Sequence, residues 1–169
     1  MHRTVTLALG LALAACGGAD EDGDDGDLTG STGTIDGSLA YGDDETLTFA
    51  SGVAFGDSFF HDDHDVIVLT AWGDASCDST DSFDWRSSGV GYRLEVAHDD
   101  GTVVDEEVTL WDCKDDGSCN GVEFPTIVLD LDSYERERGG SVSGTVTVNE
   151  ADDFLSGTLD IEVTYCGEW

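Results

Sequence analysis

Basic side chains are scarce in this 169-residue chain. Lysine and arginine total six against 38 aspartates and glutamates, and Lys114 is the single lysine. A surface of such negative charge repels phosphate backbones and anionic lipid head groups, so the sequence excludes a nucleic-acid partner. The imbalance is compatible with divalent cations, a basic protein partner or solvation alone. The shortage of lysine beside abundant aspartate also looks like the composition of proteins adapted to high salt.

Long apolar runs and helical periodicity are missing as well. Beyond the N-terminus, no apolar stretch approaches the roughly 20 residues that a membrane-spanning helix needs. No segment repeats its apolar residues with a sustained period of about 3.6. The single proline, Pro125, is expected at a strand start or at a sheet edge. These absences argue against a helical domain and against a span of the membrane.

The N-terminus carries a short apolar segment. Arg3 supplies a positive charge, residues 5–12 form the apolar part, and Leu13-Ala14-Ala15-Cys16 closes it. This segment resembles a bacterial lipoprotein signal peptide, whose last cysteine is acylated and becomes the new N-terminus. The resemblance implies a signal peptide over residues 1–15, an exported protein and a membrane anchor made by lipid on Cys16. Because Gly17 is not aspartate, the commonest inner-membrane retention signal is absent, which favours the outer membrane.

Residues 16–34 are predicted to be the lipidated cysteine followed by a disordered tether. The segment is rich in glycine and aspartate and too polar to pack. Loss of Arg3 on processing would lower the formal charge from −32 to −33. The folded domain is expected over residues 35–169.

Four cysteines follow Cys16, namely Cys77, Cys113, Cys119 and Cys166. An even number in an exported chain predicts two disulfides, with three connectivities. Cys113 and Cys119 bracket a turn-like segment, which favours Cys113–Cys119 together with Cys77–Cys166. A zinc site built from all four is the alternative, but no C-x2-C pair is present.

Apolar and polar residues alternate with period two through most of residues 34–169. The alternation predicts strands near 35–41, 46–50, 52–59, 66–72, 89–97, 103–111, 126–132, 142–148 and 155–165. The strand 66–72 is apolar on both faces and should be covered on both, the last two strands should form a hairpin, and residues 133–138 should form a short helical turn. The expected fold is all-β: an antiparallel β-sandwich or barrel-like sheet of about eight strands. With the signal segment and the acidic tether, it resembles many small bacterial lipoproteins.

Two groups of side chains are candidate cation ligands, although nothing in the sequence requires a cofactor. Asp74, Asp78, Asp81 and Asp84 recur through one loop, and calcium takes six to eight oxygen ligands from such loops. These aspartates therefore predict a structural calcium site. His61 and His64, among three aspartates, are the weaker candidates for zinc or copper. Solvated acidic turns are the alternative for both groups.

Two tryptophans are candidate sugar-binding residues. Trp111 falls opposite Val108 and Leu110 in its strand and is expected to be exposed beside carboxylates, and Trp85 lies in the aspartate-rich loop. An exposed aromatic ring beside carboxylates on a β-sandwich is how many carbohydrate-binding modules hold a glycan. Packing at a sheet edge is the alternative.

No convincing catalytic set is present. Gly56-Asp57-Ser58 resembles the nucleophile block of the GDSL hydrolases, whose serine is activated by a histidine with an aspartate three residues before it. No histidine here has that partner. The sequence therefore favours a non-enzymatic, membrane-anchored lipoprotein with a binding or envelope-structural role. The alternatives are a calcium-dependent carbohydrate-recognition module and, less favoured, a carboxylate-based glycoside-active enzyme.

Overall fold

The computed structural model describes residues 33–58, 64–73, 75–77, 89–123, 126–149 and 154–168. The elements in these ranges are strands, so the protein is all-β, as the alternation predicts. None of these residues belongs to a helix long and apolar enough to cross a membrane. The strands are β1 (Thr34–Tyr41), β2 (Glu45–Leu47), β3 (Ser51–Ser58), β4 (His64–Thr70), β5 (Gly91–Asp99), β6 (Thr102–Cys113), β7 (Cys119–Glu123), β8 (Ile127–Tyr134), β9 (Ser141–Asn149) and β10 (Leu155–Glu168).

Strand β10 joins the two halves of the sheet. Eight strands follow one another in the order β2-β1-β10-β3-β4-β5-β6-β7, and β9 and then β8 extend the sheet from the other edge of β10. The first part of β10, up to Glu162, pairs with β1, and the last part, from Thr164, pairs with β3. The sheet therefore curls into a half-barrel around one apolar interior.

The pair formed by β10 and β3 is parallel, whereas the other strand pairs are antiparallel. The sheet is thus mixed rather than wholly antiparallel as expected. A parallel neighbour requires a connection longer than a hairpin, and here most of the domain lies between the two strands. Period-two patterning fixes faces but not neighbours, so it does not reveal this pair.

Alternate residues of most strands face the interior. In β9, Val142, Val146 and Val148 are buried, while the serine and threonines between them are partly exposed. The hairpin predicted for β9 and β10 is confirmed by a continuous antiparallel register from Ser156 to Thr164. The main core draws on both halves of the sheet and includes Leu39, Ile67, Leu94, Leu110, Leu129, Val146 and Leu159.

Strand β4 is covered on both faces, as predicted. Ile67 and Leu69 belong to the main core, whereas Val66 and Val68 belong to a second cluster on the other face. This second cluster also contains Cys77, which is bonded to Cys166 of β10. The disulfide therefore holds the chain after β4 against the outer face of the sheet.

The helical turn predicted for residues 133–138 is wrong, because none of these residues is helical. Ser133 and Tyr134 continue β8 and pair with Ser143 and Val142 of β9, after a register shift that follows Leu131. Pairing with a neighbouring strand outweighs local preference in so short a segment. As part of β8, Tyr134 lies at the end of the half-barrel, where its hydroxyl reaches Asp65 of β4.

Candidate functional site

Several of the predicted site residues lie outside the residues that the structure describes. These are Cys16, His61, Asp74, Asp78, Asp81, Asp84 and Trp85. The predictions of lipidation, of calcium binding and of a histidine pair for zinc therefore stay predictions.

The four other cysteines form two disulfides. Cys77 is joined to Cys166 and Cys113 to Cys119, with Cα–Cα distances of 5.0 and 4.1 Å. This is the pairing that the spacing favoured. Cys113 and Cys119 lie directly opposite each other in β6 and β7, so this bridge closes a hairpin. The zinc alternative is not compatible with this pairing, because a disulfide sulfur is not a thiolate ligand.

His64 lies at the start of β4 and contacts an aspartate. Its Nδ1 is 2.8 Å from Oδ1 of Asp99. Within the described ranges, no group of three histidine, cysteine, aspartate or glutamate side chains is placed to hold a metal ion. His64 thus contacts a carboxylate on the next hairpin.

Trp111 lies on the outer face of the sheet and is half-buried rather than fully exposed. Its indole N–H donates to Oε2 of Glu95 at 3.1 Å, and the Arg93 guanidinium carbon lies 5.3 Å from the ring centroid. The ring also packs over β7, where a side chain at Gly121 would meet it at 2.9 Å. Three neighbours thus fix the orientation of this indole.

Arg93 and Glu95 form a buried ion pair beside Trp111. They are 3% and 1% exposed, and Nε of Arg93 is 3.0 Å from Oε1 of Glu95. Charged residues that alternate with apolar ones usually mark the solvent-facing side of a strand. The sequence pattern therefore does not indicate that Arg93 and Glu95 are buried. Burying two charges is costly even when they are paired.

A second polar group closes one end of the half-barrel. It draws on β4, β5, β8, β10 and the loop after β8, and we call it the polar cluster. Its members are Asp65, His98, Tyr134, Arg136 and Tyr165.

Asp65 is the hub of the polar cluster. Its Oδ2 accepts a hydrogen bond from the Tyr134 hydroxyl, and its Oδ1 lies 3.1 Å from Nη2 of Arg136. Arg136 also donates to the hydroxyl of Tyr165. Burial and the hydrogen bond to Asp65 raise the pKa of Tyr134 well above its ordinary value. Tyr134 therefore remains a protonated donor at physiological pH.

Gly56 of β3 makes room for this arrangement. A Cβ at this position would lie 2.0 Å from the Tyr165 hydroxyl and 3.0 Å from Nη2 of Arg136. Since real Cβ atoms do not approach other atoms so closely, the absence of a side chain lets the hydroxyl and the guanidinium lie against the β3 backbone.

His98 is the fully buried member of the polar cluster. It precedes a tight hairpin in which Asp100 and Gly101 have φ of 46° and 86°, as in a type I′ turn. The backbone N–H of Gly101 donates to Nδ1 of His98 at 3.2 Å. Nδ1 is therefore an acceptor, and the neutral ring carries its proton on Nε2.

The Nε2 atom of His98 is buried with no hydrogen-bond partner among the described residues. Burial lowers the pKa of His98, against the opposing fields of Asp65 and Asp99. The ring also makes an edge contact with Tyr134, at 5.3 Å between centroids. A neutral Nε2–H is a donor and not a metal ligand, so this histidine fits an oxygen acceptor rather than zinc.

The composition of the polar cluster limits its chemistry. One of its five side chains is a carboxylate, and that carboxylate is engaged by a tyrosine and an arginine. Glycoside hydrolysis generally uses two carboxyl groups that face each other across the bond to be cleaved. The cluster does not supply that pair. Its members come from segments up to 100 residues apart, so no local motif could have revealed it.

No protein-family model, curated protein or solved structure matches this chain. The fold defines a class, an all-β half-barrel braced by two disulfides.

Proposed function

We propose that this protein is an exported lipoprotein, anchored by lipid on Cys16, whose β domain has a non-enzymatic binding or envelope-structural role. One observation carries the proposal: the two disulfides use all four later cysteines and leave Cys16 as the odd one. Disulfides form and persist mainly in exported proteins. An unpaired cysteine directly after a short apolar segment is what lipid attachment requires.

The tether and the charge of the chain fit this proposal. β1 begins at Thr34, which leaves 17 residues between Cys16 and the first strand. As the proposed tether, a flexible chain of that length would have an end-to-end distance of about 23 Å, and repulsion among its aspartates would extend it. A negatively charged domain is also repelled by anionic head groups, so the anchor is expected to be the lipid. Gly17, in place of an aspartate after Cys16, favours the outer membrane as its location.

Metabolic labelling with a fatty acid tests the anchor. We expect labelled palmitate to be incorporated into the wild-type protein and not into Cys16→Ser. The matched control is the double variant Cys113→Ser/Cys119→Ser, which removes two cysteines but keeps position 16. Label that persists in Cys16→Ser, or an unlabelled wild-type protein, would contradict the proposal.

Carbohydrate recognition is the second candidate function, and the setting of Trp111 favours it. A half-exposed indole whose orientation is held by buried Glu95 and Arg93 offers a surface on which a sugar ring can stack. Glycan-array binding that is lost in Trp111→Ala and retained in Trp111→Phe would support stacking at this site. Equal binding by all three proteins would exclude Trp111 as the contact.

Calcium dependence of that recognition is tested separately. If Asp74, Asp78, Asp81 and Asp84 bind calcium, millimolar calcium should raise the melting temperature and release heat in a calorimetric titration. Replacing all four by asparagine should abolish both effects. A wild-type protein that shows neither effect would leave the loop as a solvated turn.

A further inference from the structure

Three aromatic rings lie together at the end of the half-barrel where β1 and β2 turn. We define the hairpin patch as Tyr41, Glu45, Tyr92 and Phe154. The ring of Tyr41 lies 4.9 Å from Phe154 and 5.7 Å from Tyr92, with interplanar angles of 63° and 58°. The rings are therefore tilted, and they do not form a flat stack.

The hairpin patch is partly open to solvent. Tyr41 and Tyr92 pack against the main core with their inner parts, whereas Phe154 is 46% exposed. The backbone N–H of Gly42 donates to the carbonyl of Phe154 at 2.8 Å, which ties the β1–β2 turn to the start of β10. This backbone hydrogen bond therefore fixes the position of Phe154 relative to the β1–β2 turn.

Carboxylates surround the rings. Asp43, Asp44 and Glu45 are consecutive exposed residues at the β1–β2 turn, and Glu45 lies opposite Tyr41 in the hairpin. Oε1 of Glu45 accepts a hydrogen bond of 3.0 Å from the Tyr92 hydroxyl. Ring faces and carboxylates both attract a cation, and together they form the kind of surface that holds ammonium and guanidinium groups.

Lys114, the single lysine of the chain, forms an ion pair beside the hairpin patch. Nζ of Lys114 lies 2.7 Å from Oδ2 of Asp112, which is directly opposite Tyr92 in the β5–β6 pair. Its hydrogen bond to Asp112 raises the pKa of Lys114, and Glu45 adds to the effect. Lys114 neutralises one carboxylate, so Asp43, Asp44 and Glu45 leave the end of the half-barrel negative.

From this juxtaposition we propose that the hairpin patch binds a basic peptide segment of a partner protein, with a lysine or arginine side chain placed against Tyr41 and Phe154. The proposal rests on the binding role proposed above and gives it a ligand class. The net charge of −32 adds long-range attraction for a basic partner and speeds its association. Tilted rings with adjacent carboxylates would supply the local contacts.

The test measures binding of a fluorescent oligo-arginine peptide to the full-length processed protein by anisotropy at physiological ionic strength. Phe154→Leu keeps an apolar side chain but removes the ring, and Glu45→Gln removes one charge. We expect Phe154→Leu to weaken binding by about three-fold to thirty-fold, the range for an exposed to a desolvated cation–π contact. We expect Glu45→Gln to weaken it by about two-fold to five-fold, as for the loss of an exposed ion pair. Unchanged melting temperatures show that both variants are folded.

Asp130→Asn is the matched control, because Asp130 is an exposed aspartate of β8 outside the patch. It removes the same charge as Glu45→Gln and should change binding by less than about two-fold. The proposal would be overturned if Asp130→Asn and Glu45→Gln weakened binding equally, or if the peptide did not bind at all. It would also be overturned if an uncharged oligosaccharide competed with the peptide more strongly than free arginine amide does. Fatty-acid labelling of the same preparation shows separately whether the lipid anchor holds.

Discussion

Asp36 of β1 and Asp160 of β10 lie directly opposite each other on the outer face of the sheet, and both are exposed. Directly opposed like charges in an antiparallel pair destabilise a sheet by about 0.2–1 kcal/mol. They border a groove of about 290 Å³ that is also lined by Asp132 and Glu162. The negative charge is therefore concentrated on the sheet as well as in the turns.

This pair predicts that stability increases with salt. Asp160→Asn should stabilise the protein by about 0.5 kcal/mol at low ionic strength, because it relieves repulsion from Asp36. The gain should vanish near 1 M salt, where the screening length is about 3 Å. Urea unfolding at both salt concentrations measures the difference. Asp115→Asn, in the exposed β6–β7 turn, is the control, and an equal gain there would show that the facing partner is irrelevant.

The two disulfides should contribute unequally to stability. Cys77–Cys166 spans 89 residues and Cys113–Cys119 spans six. In the chain-entropy model, closing the longer loop stabilises by about 4–5 kcal/mol and closing the shorter by about 2 kcal/mol. Denaturant unfolding of the two paired Cys→Ala variants compares them. An equal or larger loss without Cys113–Cys119 would contradict the expectation.

Gly56→Ala should destabilise the polar cluster. The new methyl group would displace the Tyr165 hydroxyl, at a cost of about 1–3 kcal/mol, as for overpacking in general. Tyr165→Phe removes that hydroxyl, so it should relieve most of the loss when the two changes are combined. Thermal unfolding of the four proteins in this cycle gives the coupling. Gly73→Ala is the control, because no atom of the described residues other than its chain neighbours lies within 4 Å of the added Cβ. An equal loss there would contradict steric conflict at Gly56.

His98 should make the protein less stable as the pH falls. Its pKa in the folded state is lowered from 6.5, so above that value both folded and unfolded states are neutral and the full stability is present. Below pH 6.5, His98 becomes protonated in the unfolded chain but stays neutral in the folded protein. The free energy of unfolding therefore falls by at most about 1.4 kcal/mol per pH unit.

His98→Asn is the matched variant for this prediction, because its amide oxygen can still accept from Gly101. Unfolding free energies between pH 7.5 and 5.5 should decline more steeply for the wild-type protein than for His98→Asn. Parallel curves would show that His98 is not the titrating group.

Much of the fold could be predicted from the sequence, because the alternation of apolar and polar residues in each strand indicates which face is buried. The alternation predicted β9, β10 and the hairpin that they form. The apolar residues on both faces of β4 predicted that both faces are buried, and this is confirmed. The spacing around Cys113 and Cys119 indicated a local bridge because a short turn brings its ends together. These features depend on residues that are close in sequence.

The polar cluster and the hairpin patch could not be found this way. Asp65 and Tyr134 meet because β4 and β8 reach the same end of the half-barrel, and Tyr41 meets Phe154 because β1 pairs with β10. The period-two pattern does not indicate which strands become neighbours in the sheet. The same limitation hid the parallel β10–β3 pair.

Lipid on Cys16 is the central claim, and the intact mass of the protein purified from membranes tests it most directly. The predicted species begins at Cys16, carries a diacylglycerol on that sulfur and contains two disulfides. A mature protein that retains Met1, or one that begins at Cys16 with an unmodified thiol, would contradict it.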